Sequence, residues 1–135
     1  MTYKISLFFL ALSLLFSVTA AFAQMDEAAP SENLPVLTEE AKIENLIAFV
    51  ENMPEGTKFI RNGTEYDGER AASHLRLKYR NGKRYAKTAE LFIENIASKS
   101  SMSGEEYSIK LADGKTVSAR EFFMEELRKI EGAGG

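Results

Sequence analysis

The chain has 135 residues with 17 Lys and Arg against 20 Asp and Glu, one histidine and no cysteine. Lack of cysteine excludes disulfide staples and a lipid-attachment site, so stability must come from an apolar core. One histidine and no thiolate exclude a His/Cys metal centre, and no acidic run has calcium-loop spacing, so no metal or cofactor is expected.

Lys4 precedes an almost unbroken apolar run from Ile5 to Val18, and Ala21-Phe22-Ala23 follows. Signal peptidase requires this small-x-small pattern because only short side chains fit its subsites. The apolar run is too short to span a bilayer, and no stop-transfer segment comes after it. Residues 1–23 therefore read as a signal peptide cleaved after Ala23, leaving Gln24 to Gly135, 112 residues with no membrane span. A chain of that size buries about 60–70% of its unfolded surface, enough for one domain.

Removing the signal removes only Lys4, so 16 cations face 20 acids. Seven of those cations fall between Arg70 and Lys87, a stretch without a single acid. Such segregation places a basic patch on an acidic molecule and favours an anionic partner; the alternative is a solvated helix face.

Residues 24–37 carry Asp26, Glu27, Glu32 and two prolines without apolar period, and read as a flexible acidic leader. Residues 38–131 form the predicted domain. Thr38 suits an N-cap, and Ile43, Leu46, Ile47 and Val50 recur at helical spacing before Pro54-Glu55-Gly56. Asn62-Gly63 between Phe59-Ile60-Arg61 and Thr64-Glu65-Tyr66 predicts a hairpin with a type I′ turn. Asp67 caps a second helix running to about Arg80, with Ala71, Leu75 and Tyr79 inward and Asn81-Gly82 as its stop.

A third helix follows Thr88, with Phe92, Ile93 and Ile96 inward. Tyr107, Ile109 and Leu111 alternate with polar residues as a half-buried strand that Asp113-Gly114 turns toward Val117. Ser118 to Glu121 reads as a capping box for a last helix facing the core through Phe123, Leu127 and Ile130. Residues 132–135 read as a disordered tail. Strands this short need helices over one face, so the predicted class is α+β: about four helices on short antiparallel hairpins.

Two polar clusters carry the functional argument. Arg70, His74 and Lys78 are each four apart and stack along one edge of the second helix. Ser98-Lys99-Ser100-Ser101-Met102-Ser103-Gly104 is a loop dense in hydroxyls, closed by Tyr107. A nucleophilic serine needs a base in reach and an oxyanion hole, and no Gly-x-Ser-x-Gly elbow or Ser-x-x-Lys pair is made here. No catalytic residue is assigned. Asp113 to Thr116 ends like a phosphate-binding loop, but Ile109 stands where its first glycine belongs.

The stretches FIRNGTEYDGERAASHLRLKYR and ELFIENIASKSSMSGEEY together resemble the YfeK-like family of small exported bacterial proteins, a domain-of-unknown-function family. The likeness runs from about Ile43 to Ile130. It implies a Gram-negative periplasmic address and no activity. It also implies that the hairpin motif and the serine motif occur together and meet in space.

Three readings remain open. In the first, a non-enzymatic binding or adaptor domain uses Arg61, Asn62, His74 and Lys78 on one side and Lys99, Ser100, Ser101, Ser103 and Tyr107 on the other. Its ligand is anionic: a small molecule, a cell-wall fragment or an acidic protein segment. In the second, a small hydrolase uses His74 as base and Ser100 or Ser101 as nucleophile. In the third, the same residues are a satisfied polar network fixing the two hairpins. Net charge, export and the lack of a recognised module argue against nucleic acid. Intact-mass measurement on the exported protein is expected to place Gln24 first, as glutamine or pyroglutamate; retention of residues 1–23 would overturn the leader assignment.

Overall fold

The computed structural model describes residues 35–133. The expected signal peptide, residues 24–34 of the expected leader, and Gly134 and Gly135 lie outside the described residues. Helix α1 (Glu39–Glu51) begins where Thr38 Oγ1 accepts a hydrogen bond from Ala41 N at 3.2 Å. Its buried face is Ile43, Leu46, Ile47 and Val50, the helical stripe of the sequence.

Strands β1 (Lys58–Arg61) and β2 (Thr64–Tyr66) form the first hairpin. Its turn uses Asn62 at φ 48° and Gly63 at φ 76°, the paired positive φ of a type I′ turn. Helix α2 (Gly68–Gly82) follows, with Asp67 Oδ1 accepting from Arg70 N at 2.8 Å. A 3₁₀ turn (Lys83–Tyr85) leads to α3 (Ala89–Phe92), which continues as a π turn over Ile93–Ala97. Strands β3 (Ser108–Lys110) and β4 (Thr116–Ser118) then make the second hairpin, and α4 (Ala119–Ala133) closes the described chain.

The four strands form one antiparallel sheet in the order β2-β1-β3-β4. Pleating sends Phe59, Ile109 and Val117 to the face covered by the helices; Lys58, Lys110 and Glu65 take the other face. Lys110 and Glu65 pair there at 2.8 Å. The fold is therefore α+β in two layers. Phe92 is fully buried at the centre of the helical layer, edge-on to Tyr79 (5.7 Å) and Phe123 (6.5 Å). Edge-to-face rings at these distances are favourable beyond the area they bury.

Helix ends differ from the sequence expectation at three places. Helix α2 runs to Gly82, and Gly82 has φ −116°, so it is not a left-handed stop. Its open side faces Ile96: a Cβ there would lie 2.9 Å from Ile96 Cδ1, the flexible end of a side chain that would have to shift to admit it. At α4, Ser118 Oγ accepts from Glu121 N at 3.2 Å, the hydroxyl half of a capping box, and α4 holds Gly132 and Ala133 in helix. The third helix changes to π hydrogen bonding at Ile93, which lets Ile93, Ile96 and Ala97 all turn inward.

The end of α1 and the start of α2 approach closely at Gly68. A Cβ on Gly68 would collide with the Val50 carbonyl oxygen and stand 3.0 Å from that of Glu51. Arg76 reinforces the junction with two hydrogen bonds to Glu51, at 3.0 and 2.7 Å. Gly68→Ala is accordingly expected to cost about 1–3 kcal/mol in chemical denaturation, because backbone must move to admit the methyl. Gly132→Ala, where nothing lies within 4 Å, should be neutral or stabilising by up to about 1 kcal/mol.

Candidate functional site

The same pleat that buries Phe59 directs Arg61, two residues on, toward the helical layer at the end of β1. Tyr107, two residues before Ile109, takes the same face on the neighbouring strand. Above them runs the α2 edge bearing His74 and Lys78 at i and i+4. The Asn62 turn and the loop at 98–106 close the space from its two ends. The result is a cleft of about 330 Å³ lined by Arg61, Asn62, His74, Lys78, Ser100, Ser101, Met102 and Tyr107. Hairpin motif and serine motif thus meet across α2. Lys99 and Ser103 do not line this cleft; they line a wider groove of about 910 Å³ on the far side of the serine loop.

The loop's hydroxyls mostly shape the loop. Ser100 Oγ accepts from Met102 N at 3.3 Å and Ser103 N at 3.2 Å, and Ser103 Oγ accepts from Glu105 N at 3.3 Å. Ser100 N donates to Glu105 O at 2.8 Å, and Gly104, at φ 75°, donates its N–H to Ser100 O at 3.0 Å. Ser98 Oγ donates back to Glu94 O at 3.3 Å. Ser101 is exposed. No hydrogen bond joins His74 to Ser100 or Ser101, so the base–nucleophile contact of a hydrolase is not formed.

Lys78 has an internal assignment that the sequence did not disclose. Its Nζ donates to the carbonyls of Ile96 and Lys99, each at 2.7 Å, and to Tyr107 Oη at 3.3 Å. These three contacts use all three ammonium donors. Burial, with the Arg61 charge in second place, draws its pKa down to about 8. Arg61 is held by Tyr66, donating to Oη at 3.2 Å with its guanidinium 4.8 Å from the ring centroid. Tyr66 is the residue that sequence reasoning left out of the site; its pairing with Phe59 on the helix-facing side was the available signal.

His74 sits between the two cations. Burial first, then Arg61 and Lys78, drive its pKa down to about 4, so the ring is neutral at pH 7. Its Nε2 is buried and has no hydrogen-bond partner. Burial also pushes the Tyr107 hydroxyl up, outweighing the opposing pull of Arg61. Among the described residues no carboxylate lies within 4.0 Å of Arg61, His74 or Lys78, whereas Lys42, Arg76, Lys83, Lys110 and Arg120 all have acidic partners. No group of three or more His, Asp or Glu among the described residues is placed to hold a metal ion.

Fold and site together define a small α+β domain with a cation-lined cleft, free of lining acids, at one end of its sheet. The chain belongs to a family of unknown function (DUF5329), whose model matches residues 37–131. It is similar to the uncharacterized protein YfeK of Salmonella typhimurium, 42% identical over 69 residues. That match covers 51% of this chain and 57% of the relative, so the chain spans little more than half of the curated relative's length. No solved structure matches it.

The buried imidazole has a measurable consequence. Folding excludes a proton that unfolded His74 binds below its ordinary pKa of 6.5, so stability falls as pH drops from 6.5 toward about 4 and levels off below that. Between pH 6.5 and 4.5 the loss attributable to His74 is expected to be about 1–2 kcal/mol, after allowance for solvent screening of a partly exposed ring. His74→Gln should flatten denaturation-derived stability across that window. The depressed carboxylates of Glu39, Glu51 and Glu94 act only below about 4.5, where folding loses their ion pairs.

Proposed function

We propose that the domain is a periplasmic, non-enzymatic binding or adaptor module whose cleft receives an anionic group. The observation that carries this reading is the convergence of Arg61, His74 and Lys78 in a partly buried space without an acid. Arg61 lowers the pKa of both others, and Lys78 adds to the effect on His74, which is therefore neutral at pH 7. Arg61 and Lys78 remain two charges with no acid between them, an arrangement that packing alone does not favour. An oxyanion in the cleft removes the repulsion and supplies an acceptor for Arg61, whose planar fork suits a two-oxygen contact. Protonated His74 Nε2 then gains the partner it lacks.

Lys78 favours a second role alongside the first. With its donors spent on Ile96, Lys99 and Tyr107, it acts on the ligand through charge while it fixes the loop. Export to the periplasm rests on the residue pattern at 1–23.

Sulfate is the suitable probe because it does not titrate in the working range. Calorimetric titration is expected to show sulfate affinity falling as pH rises through about 8, where Lys78 loses its proton, and rising as pH falls toward about 4, where His74 gains one. Arg61→Ala should weaken binding by about tenfold or more, the loss of one charge-assisted contact. Sulfate that binds independently of both pH and Arg61, or fails to bind, would refute the anion-site reading.

A further inference from the structure

The cleft is the middle of three depressions. On one side it shares Arg61 and His74 with a pocket of about 190 Å³ that reaches Arg70 and Tyr66. On the other it shares Lys78, Ser100, Ser101 and Met102 with the 910 Å³ groove that reaches Tyr85. Adjoining through these shared residues, they form an interrupted trough along the α2 edge, crossed by the serine loop, from Arg70 past His74 and Lys78 to Tyr85. At about 1.5 Å per helical residue that edge is about 20 Å long, far longer than a single oxyanion.

None of the three depressions has an Asp or Glu among its lining residues. The groove beside Phe49 and Phe122 is the contrast, since Glu121, Glu125 and Glu126 line it. A chain with more acids than cations has therefore kept its acids out of all three adjoining depressions.

The chemistry of the lining selects among extended anions. Asn62 and Asn81 present exposed amides along the trough, whereas Asn95 spends its Nδ2 on the Tyr85 carbonyl, Tyr107 is buried and the Tyr66 ring is covered by Arg61. Tyr85 is 54% exposed, and the Arg84 guanidinium lies 4.6 Å from its ring centroid, giving a flat cationic platform at the far end. Amides, hydroxyls and aromatic faces are the groups that meet the hydroxyls and C–H faces of sugars. A peptide strand would instead need a row of free main-chain groups or apolar anchor pockets. The backbone along α2 and the serine loop is bonded internally, the edge strand β2 beside Tyr66 offers only three residues for pairing, and Met102 is the one fully exposed apolar side chain on the rim.

We infer that the trough binds an extended acidic glycan, with one carboxylate or other anionic substituent seated between Arg61 and His74 and neighbouring sugars running toward Arg70 and Tyr85. The inference rests on the anion-site reading above and adds the ligand's class and length to it.

The test titrates the exported full chain with galacturonic acid, its dimer, tetramer and hexamer, neutral chitin oligomers of matched length, and a poly-glutamate peptide of matched span. Affinity for the galacturonates is expected to rise with length until the trough is filled. Arg70→Ala and Tyr85→Ala, both at exposed positions at opposite ends, should each weaken hexamer binding by about tenfold, equivalent to about 1.4 kcal/mol, and leave the monomer unaffected. If the monomer binds as well as the hexamer, the extended-glycan inference fails while the anion site stands. If neither binds, both fail. Equal binding of neutral chitin oligomers, or tighter binding of poly-glutamate, overturns the acidic-glycan assignment.

Discussion

The site depends on one ammonium group. Lys78 Nζ ties the middle of α2 to the carbonyls of Ile96 and Lys99 and to the hydroxyl of Tyr107. Those acceptors belong to the π turn, to the first residues of the serine loop, and to the approach to β3. A charged donor holding carbonyls at 2.7 Å is stronger than a neutral one, and it does at the end of α3 what a C-cap residue does elsewhere. The π turn makes this possible. By bringing Ile96 and Ala97 into the core it ends the helix directly above Lys78, so the loop leaves α3 beside the cleft.

From that contact the electrostatics follow. A cation held half-buried at this point cannot move away from Arg61, and Arg61 is itself braced by Tyr66. His74, on the same helix edge one turn earlier, is caught between two fixed charges and stays neutral. The cleft therefore combines the Arg61 guanidinium, a Lys78 charge whose donors are bonded within the protein, and a neutral imidazole that gains its proton only at low pH.

Much of the fold was legible because its signals are local. Thr38, Asp67 and Thr88 each cap the helix that follows, and Asn62-Gly63 turns the first hairpin as its residue types require. The inward residues of all four helices follow their apolar spacing. What could not be read from sequence is what depends on contacts between distant segments: the strand order, the π register at Ile93, and the surroundings of Gly82. That glycine reads as a helix stop, yet the helix includes it at φ −116° and its open side faces Ile96, fourteen residues on. The site divides the same way. Spacing puts His74 and Lys78 on one edge, and strand alternation puts Arg61 and Tyr107 on one face. Neither predicts that Lys78 is consumed internally, nor that Lys99 and Ser103 fall on the other side of their own loop.

The basic stretch from Arg70 to Lys87 shows how one helix resolves a surplus of charge in two ways. On the side facing α1, Arg76 pairs with Glu51 and approaches Glu44, and Lys83, just beyond the helix end, pairs with Glu40. These ion pairs are at least one-third exposed and contribute little individually, but they cancel charge where two helices pack. On the side facing the sheet no acid is offered to His74 or Lys78, although the chain holds more acids than cations. Folding alone favours treating both sides alike, since an unpaired, partly buried cation costs stability and a nearby carboxylate would recover it. The neutralised side is explained by packing. The other side keeps Arg61 and Lys78 apart from any acid by satisfying Lys78 with carbonyls and holding His74 neutral, so the three groups pack together without a counter-charge.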